Sequence, residues 1–508
     1  MIADPIAQGL ASGWRVLPGD EAHQLTEHFD VIIVGSGAGG GVSAEALCAA
    51  GLKVLMIEMG PLKSSRDFRM NEAQAYRDLY QDNALRQTKD GAISILQGRA
   101  VGGSTLVNWT SSFRTPAPTL ARWQQMGVEL GDMSPWFAAM EKRLAIHPWP
   151  LPPNQNNAVL ARGCEKLGRS HGVIARNVKG CWNLGYCGMG CPTNAKQSML
   201  LTTIASALEQ GLTLLHSAPV ERLLVAAKKV QGVKLRNGQE LTAKHVFLCA
   251  GAIGNPAILL RSGLEDDAGR TGARTFLHPV VMSFAQFDDE ISPYYGAPQS
   301  VFSDHHQWLQ ADQGFKLEAI PLHPMVTSAL LRRRGQALAT ELNRLPHTQG
   351  LIALIRDGFS PALAGGRVSL DDYGQPQLDY PLTEPLFHLF KSALKEMMLI
   401  QQAAGARQLL PLHLDAKPLP ATEALAALDE LPMQAQRLAI SSAHVMGGCA
   451  MAASPAQGVC DSQGRHFGVT GLWINDGSLF PTSIGANPQL SIYGLAKRNV
   501  SIWLNGQK

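Results

Sequence analysis

No apolar run in the sequence approaches the roughly 18 residues that a membrane-spanning helix needs. The N-terminus (MIADPIAQGLASGWRVLPGD) has no basic region followed by an apolar stretch, so no secretory leader is read there. The expected compartment is the cytoplasm, with export beside a partner subunit or peripheral membrane association as alternatives. Charge of one sign is scarce: 44 Lys and Arg face 41 Asp and Glu, a formal +3. That balance gives no reason to expect nucleic acid or another polyanion as partner. Eight cysteines in 508 residues are too few for a disulfide scaffold. Cys48, Cys164 and Cys249 lie in apolar stretches, where a free thiol acts as a small core residue. Apolar content (45%) and glycine (50 residues, many in a few dense loops) are plentiful. Burial is therefore ample, and the length suits a large soluble enzyme of two or three units.

Residues 1–28 read as a polar arm with one or two helical turns. Asp30 then leads into the β-branched run Val31-Ile32-Ile33-Val34, a glycine-rich turn from Gly35 to Gly41, and a helix-forming run to Ala50. A second apolar strand, Val54-Leu55-Met56-Ile57, ends on Glu58. This is a βαβ unit. Further strands of the same kind are expected at 212–216, 245–249 and 472–476. Between about 279 and 435, short strands (366–370 and 377–380) and a helical pattern at 384–404 suggest a separate substrate-facing unit. The expected division is 29–150 and 206–278 for two parts of the nucleotide-binding domain, 151–205 for a cysteine-rich connecting segment, 279–435 for the substrate domain, and 436–508 for a C-terminal catalytic segment. The fold class is mixed α/β: a Rossmann-like domain with an inserted domain built on an antiparallel sheet with helices.

Gly35, Gly37 and Gly40 form G-x-G-x-x-G between strand and helix, with Ala38 opening the helix. The first glycine permits the tight turn, the second lets backbone approach a pyrophosphate, and the third lets helix and strand pack closely. The helix start offers free N–H groups and the positive dipole end to phosphate. Glu58 stands at the spacing of a ribose-binding carboxylate and favours an unphosphorylated ribose, as in FAD or NAD.

Downstream motifs bear on the choice between FAD and NAD. Gly98 to Asn108 (GRAVGGSTLVN), Gly251 to Pro256 (GAIGNP) with Leu259 to Gly263, Leu277-His278-Pro279, Ala443 to Met451 (AHVMGGCAM), Asn475 to Ser478, and Gly485 to Pro488 occur in that order. Together they resemble the glucose–methanol–choline (GMC) flavoprotein oxidoreductases. The resemblance implies FAD, with Gly102, Gly103, Ser104 and Asn108 near its pyrophosphate and ring, Asp476 near the ribityl phosphate, and Val220 near the adenine. Tyr186 to Cys191, Lys196-Gln197-Ser198, Gly366-Arg367-Val368 and Gly405-Ala406 look closest to the long-chain (fatty) alcohol oxidase and dehydrogenase branch.

Alcohol oxidation removes a hydroxyl proton and a carbinol hydride. A neutral imidazole suits the first task. His444 is the expected base, and Asn487, at the family's partner position, would orient the oxygen and stabilise developing alkoxide. The family usually has Pro after this His and Thr or Ser four positions after it; here Val445 and Gly448 stand there. His278 is read as lining the cleft and His466 as a surface-loop residue.

Cys181, Cys187 and Cys191-Pro192 are spaced C-x5-C-x3-C-P. Three thiolates so spaced could hold one iron–sulfur centre. The spacing also resembles flavin sugar dehydrogenases of this family, which implies a [3Fe-4S] cluster and a cytochrome or small electron-transfer subunit as partner. Structural thiols or a single disulfide are the alternatives, and zinc lacks a fourth ligand. Finally, the apolar stretch Ile320 to Leu331 before Arg332, Arg333 and Arg334 could touch a membrane surface, or form one wall of a substrate pocket. The expected function is oxidation of a nonpolar, medium-to-long-chain alcohol, with electrons passing to a quinone, cytochrome or iron–sulfur relay more readily than to oxygen. A sugar or polyol dehydrogenase subunit, or a lyase or structural-flavin member of the fold, are the rivals.

Overall fold

A computed structural model describes residues 2–266 and 268–507. The apolar run Phe29–Val34 is the strand from which the first sheet grows, because its side chains are buried on both faces. Val54–Ile57 pairs with it in parallel, setting Ile33 opposite Met56 and Val34 opposite Ile57. On its other side lies Glu240–Leu248, also parallel, with Ile33 opposite Phe247. Thr213–His216 extends the sheet beyond Val54–Ile57, and Leu472–Ile474 joins the end of Glu240–Leu248. The strands Val220–Ala226 and Lys229–Leu235 add an antiparallel ribbon to the other edge. The sheet has eight strands. The N-terminal arm contains more than helical turns: Val16–Pro18 forms the outermost parallel strand against Thr213–His216. Three residues are too few to show a period, so sequence reading could not find it.

The helix after the glycine turn spans Ala38–Ala49, starting earlier than the Ser43 expected from composition. Three consecutive glycines depress helix propensity, but here close packing needs them. A Cβ on Gly39 would lie 1.8 Å from the Asn475 carbonyl oxygen, and one on Gly40 would lie 2.0 Å from that of Gly35. The C-terminal helix Gln489–Asn505 lies beside this one. Asn475 fixes both, donating through Nδ2 to Ser43 Oγ (2.9 Å) and to the Ala496 carbonyl (3.2 Å).

The second sheet is antiparallel in its main path and has nine strands. Val280–Gln286 and Thr348–Ile355 form its centre, flanked by Phe315–Ala319 and Gln408–Pro411. Side chains alternate between faces. Val281, Leu317, Leu351 and Ala353 pack with the long helix Glu384–Ala403, which contributes Leu386, Phe390, Leu394 and Met397 at helical spacing. Val280, Met282, Ile352 and Leu354 take the opposite face, towards the first sheet and the cleft.

Gly40→Ala should destabilise the protein by about 1–3 kcal/mol, because the methyl meets backbone that cannot yield without moving the first strand. Urea unfolding of the variant against the wild type measures this.

Candidate active site

One cleft of about 890 Å3 runs between the two sheets. Gly35, Gly37, Ala38 and Glu58 line one end with Val220. Gly35 adopts φ +99°, the left-handed conformation that glycine takes without strain. The space over Gly37 is open, and Gly37 caps the helix Ala38–Ala49, whose first-turn N–H groups lack intrahelical partners. Gly103 reaches the same turn from the second glycine motif: a Cβ there would fall 2.8 Å from Gly37 Cα. Gly40 and Gly102 stand behind this surface. Gly102 donates its N–H to Ser36 Oγ at 2.9 Å, which in turn donates to Glu58 at 2.6 Å. Glu58 also accepts from the Ser36 and Gly60 N–H groups. Burial pushes its pKa up, while these donors pull the other way.

Asp476 lines the middle of the cleft. Its carboxylate accepts from the Gly251 N–H (2.7 Å), Asn255 Nδ2 (3.0 and 3.1 Å), and the Ser478 N–H and hydroxyl (2.8 and 2.6 Å). It thereby ties the start of the helix Gly251–Arg261 to the C-terminal block. Ser104 and Asn108 follow along the wall. Asn108 donates to Gln489 Oε1 at 2.7 Å, a residue that sequence reading passed over and that also binds Ser111, Ser112 and Asn177.

At the far end the structure brings His444 and Asn487 into the same cleft. The His444 pKa is pushed down to about 3 by burial and by the Lys316 charge, so the ring is neutral. His278 does not line the cleft as expected. It is fully buried behind His444, with the two Nδ1 atoms 3.3 Å apart. Asn487 is held at both ends of its amide: Oδ1 lies 3.4 Å from Lys316 Nζ, and Nδ2 donates to Glu318 at 3.1 Å. Lys316 and Glu318 occupy the cleft-side face of Phe315–Ala319 and are themselves 3.2 Å apart. Lys316 Nζ lies over the Phe113 ring, 2.9 Å from its centroid, and burial lowers its pKa to about 8. Nothing in the sequence marks this pair, because alternating polar positions on a strand ordinarily face water.

The three-thiol iron–sulfur site is not assembled. Among the described residues no three His, Cys, Asp or Glu side chains group so as to hold a metal, and all eight cysteines are free. Each thiol has its own surroundings: Cys181 packs near Trp149, Val178 and Ala297, Cys187 faces the Arg176 guanidinium at 3.6 Å, and Cys191 meets the Thr193 hydroxyl at 3.4 Å. The loop acts as wall instead. Gly188 and Met189 line the cleft, and buried Lys196 clamps the loop by donating to the carbonyls of Cys187 (2.7 Å) and Asn108 (2.9 Å). The basic stretch is also partly tied down. Arg332 donates to the Gln436 carbonyl and Arg333 to that of Ala416, while Val326, Ala329 and Leu330 of the helix Pro324–Leu331 line the cleft. No described helix is long and apolar enough to cross a membrane.

The residues present fit FAD. The two glycine turns make a floor free of side chains beside a helix N-terminus, with carboxylates at the expected places along a cleft long enough to reach His444 and Asn487. Comparison with known proteins agrees. The models of the two parts of the GMC oxidoreductases match residues 76–280 and 362–496. An uncharacterized GMC-type oxidoreductase of Mycobacterium tuberculosis is 31% identical over 480 residues, 92% of this chain and 74% of that protein. A long-chain-alcohol oxidase of Arabidopsis thaliana is 28% identical over 518 residues, 94% of this chain and 67% of that protein. Among solved structures, pyridoxine 4-oxidase from Mesorbium loti superposes with a TM-score of 0.71 at 18% identity, over 94% of this chain and 99% of that one.

A histidine whose folded pKa is depressed takes up a proton on unfolding, so the stability it allows is complete above the unfolded value near 6.5 and falls as pH drops towards the folded one. For His444 that window runs from about 6.5 down to about 3. Thermal melts from pH 7 to 5 should therefore decline less steeply for His444→Gln than for the wild type.

Proposed function

This chain belongs to the GMC oxidoreductase family of FAD-dependent flavoproteins, and we propose that it oxidises a nonpolar, medium-to-long-chain alcohol to the aldehyde or ketone. One observation carries the substrate class. The wall facing His444 and Asn487 is apolar, built from Val280, Met282, Ile320, Ile352 and Leu354 with Val326 and Leu330. Apart from Glu318 and Gln299, the wall gives few hydrogen bonds to the many hydroxyls of a sugar, which disfavours the sugar or polyol reading. It rewards a hydrocarbon chain at about 0.8 kcal/mol per methylene. The naming of the Arabidopsis relative as a long-chain-alcohol oxidase supports the same reading.

FAD, when bound, supplies the two-electron acceptor for the carbinol hydride. The protein supplies orientation. The apolar wall aligns the chain and excludes water, and His444 and Asn487 sit at the polar end, where the hydroxyl oxygen is held. Residues 279–435 provide most of this wall, in keeping with a substrate-binding role for that segment. The electron exit expected from sequence, a quinone, cytochrome or iron–sulfur relay, finds no support in a relative named an oxidase, and dioxygen is the acceptor in keeping with that name.

Mixing the flavoprotein anaerobically with an alcohol series should bleach the oxidised-flavin band. Specificity, as kcat/KM, should rise by about fourfold per added methylene until the wall is filled. Readmitting air, a quinone or a dye then identifies the acceptor. Bleaching by sugars and not by aliphatic alcohols, or substrate cleavage without bleaching, contradicts the reading.

A further inference from the structure

Two helices, Pro324–Leu331 and Gly335–Asn343, are joined by a turn through Arg332, Arg333 and Arg334. The run PMVTSALLRRRGQALATELN is rich in Leu, Ala, Val and Met outside that turn. Helices of such composition ordinarily bury their apolar side against the protein that carries them. Here all of the run lies among the described residues, yet Thr327 is the one buried side chain of the first helix and the second helix buries none. Met325 is 48% exposed. Leu414, which shares a shallow surface dent with Leu331, Arg332 and Arg333, is 53% exposed.

The pair is held mainly by its ends. Leu330 and Leu331 pack in part against the cluster of Met282 and Leu410. At the start, the Glu72 carboxylate accepts from the N–H groups of Met325 (2.7 Å) and Val326 (2.9 Å). At the finish, Glu341 accepts from Gln286, and Arg344 donates to Gln286 and Gln408. The turn between keeps its positive charge. Arg332 and Arg333 donate to neutral carbonyls, and of the carboxylates close by, Glu341 is engaged by Gln286 and Asp415 by Arg437 at 2.7 Å.

The first helix is also one side of the cleft, which Val326, Ala329, Leu330 and Arg332 line. A nonpolar alcohol prefers a bilayer to water by about fourfold more with each methylene. A cleft built for such a chain is best supplied where the chain collects. No described helix is long and apolar enough to cross a membrane. A half-exposed apolar helix pair with a basic turn instead suits the interface, lying along the surface with its apolar side at the headgroup boundary. Each arginine there strengthens binding to anionic lipid by roughly fivefold.

We propose that the helix pair 324–343 docks the protein on an anionic phospholipid bilayer. Met325 and Leu414 enter the headgroup boundary, and Arg332, Arg333 and Arg334 meet the negative headgroups. The cleft then opens towards the lipid, and the alcohol passes along Val326 and Leu330 to the apolar wall. The identity of that cargo rests on the alcohol-oxidation reading; the docking does not.

Sedimentation of the flavin-loaded protein with vesicles tests it. The protein should pellet with vesicles of phosphatidylcholine and phosphatidylserine and less with phosphatidylcholine alone, and added salt should weaken the first. Arg332→Gln combined with Arg334→Gln should cut partitioning on the anionic vesicles by about 25-fold. Met325→Gln combined with Leu414→Gln should cut it on both compositions. Val173→Gln, at a position 56% exposed on the strand at the far edge of the same sheet, should leave it unchanged. With an alcohol dissolved in the vesicles, the Met325 and Leu414 double variant should reduce its flavin more slowly than the wild type, and with a short water-soluble alcohol equally fast. Three results overturn the docking: no pelleting with anionic vesicles, pelleting that neither double variant reduces, or light scattering that shows a dimer which the Met325 and Leu414 double variant dissociates. Pelleting needs no turnover, so a protein that pellets as expected and is bleached by no alcohol overturns the cargo alone.

Discussion

The contact on which this molecule turns is backbone against backbone. Gly37 of the first glycine loop and Gly103 of the second meet so closely that no side chain fits between them. This contact joins the end of the first strand to the segment that carries Ser104 and Asn108, and it leaves a floor open beside a helix N-terminus. A β-carbon on Gly103 would push the loops apart, and a side chain on Gly37, over which the space is open, would fill the floor. The hydrogen-bonded line from Gly102 through Ser36 to Glu58 fastens the same junction from behind. The nucleotide end of the cleft is therefore set by what these residues lack.

The reactive end follows another rule, the two-faced strand. The antiparallel sheet spends one face on the helix Glu384–Ala403 and offers the other to the cleft. Most of that second face is apolar, and Lys316 and Glu318 are the exception. A buried ion pair of this sort contributes little to stability when set against well-packed hydrophobes, so its presence beside Asn487 points to chemistry. The amide of Asn487 cannot turn over without facing Nδ2 to an ammonium and Oδ1 to a carboxylate. Its orientation is thus written into the neighbouring strand, 169 and 171 positions away in the chain.

Much of this was legible in the sequence, and the gaps have physical causes. The strand–glycine–helix–strand run around Gly35 announced a dinucleotide site, because close backbone approach demands glycine at fixed spacing, and the second glycine motif and the C-terminal block pointed to a flavoprotein through their resemblance to the GMC oxidoreductases. The helix at 384–403 was visible through its 3.6-residue period. Val16–Pro18 was not, since a three-residue edge strand has no period to read. Lys316 and Glu318 were invisible because strand alternation looks the same whether the polar face meets water or a closed cleft. The cysteine spacing left its alternatives open for a related reason: spacing limits how far thiols can be apart, while convergence depends on the loop's path. Here Arg176, Thr193 and Trp149 draw the three sulfurs to separate surroundings. His278 was placed in the right region but one layer too far forward, because it is buried behind the His444 ring.

The central claim is that one cleft holds the flavin with its reactive edge at His444 and Asn487. A crystal structure of the flavin-loaded protein tests it most directly. The account predicts the adenosine end between Glu58 and Val220, the pyrophosphate over Gly37, and the isoalloxazine edge facing His444 and Asn487. A ring lodged away from those two side chains, or a cleft that takes a nicotinamide dinucleotide and no flavin, would contradict it.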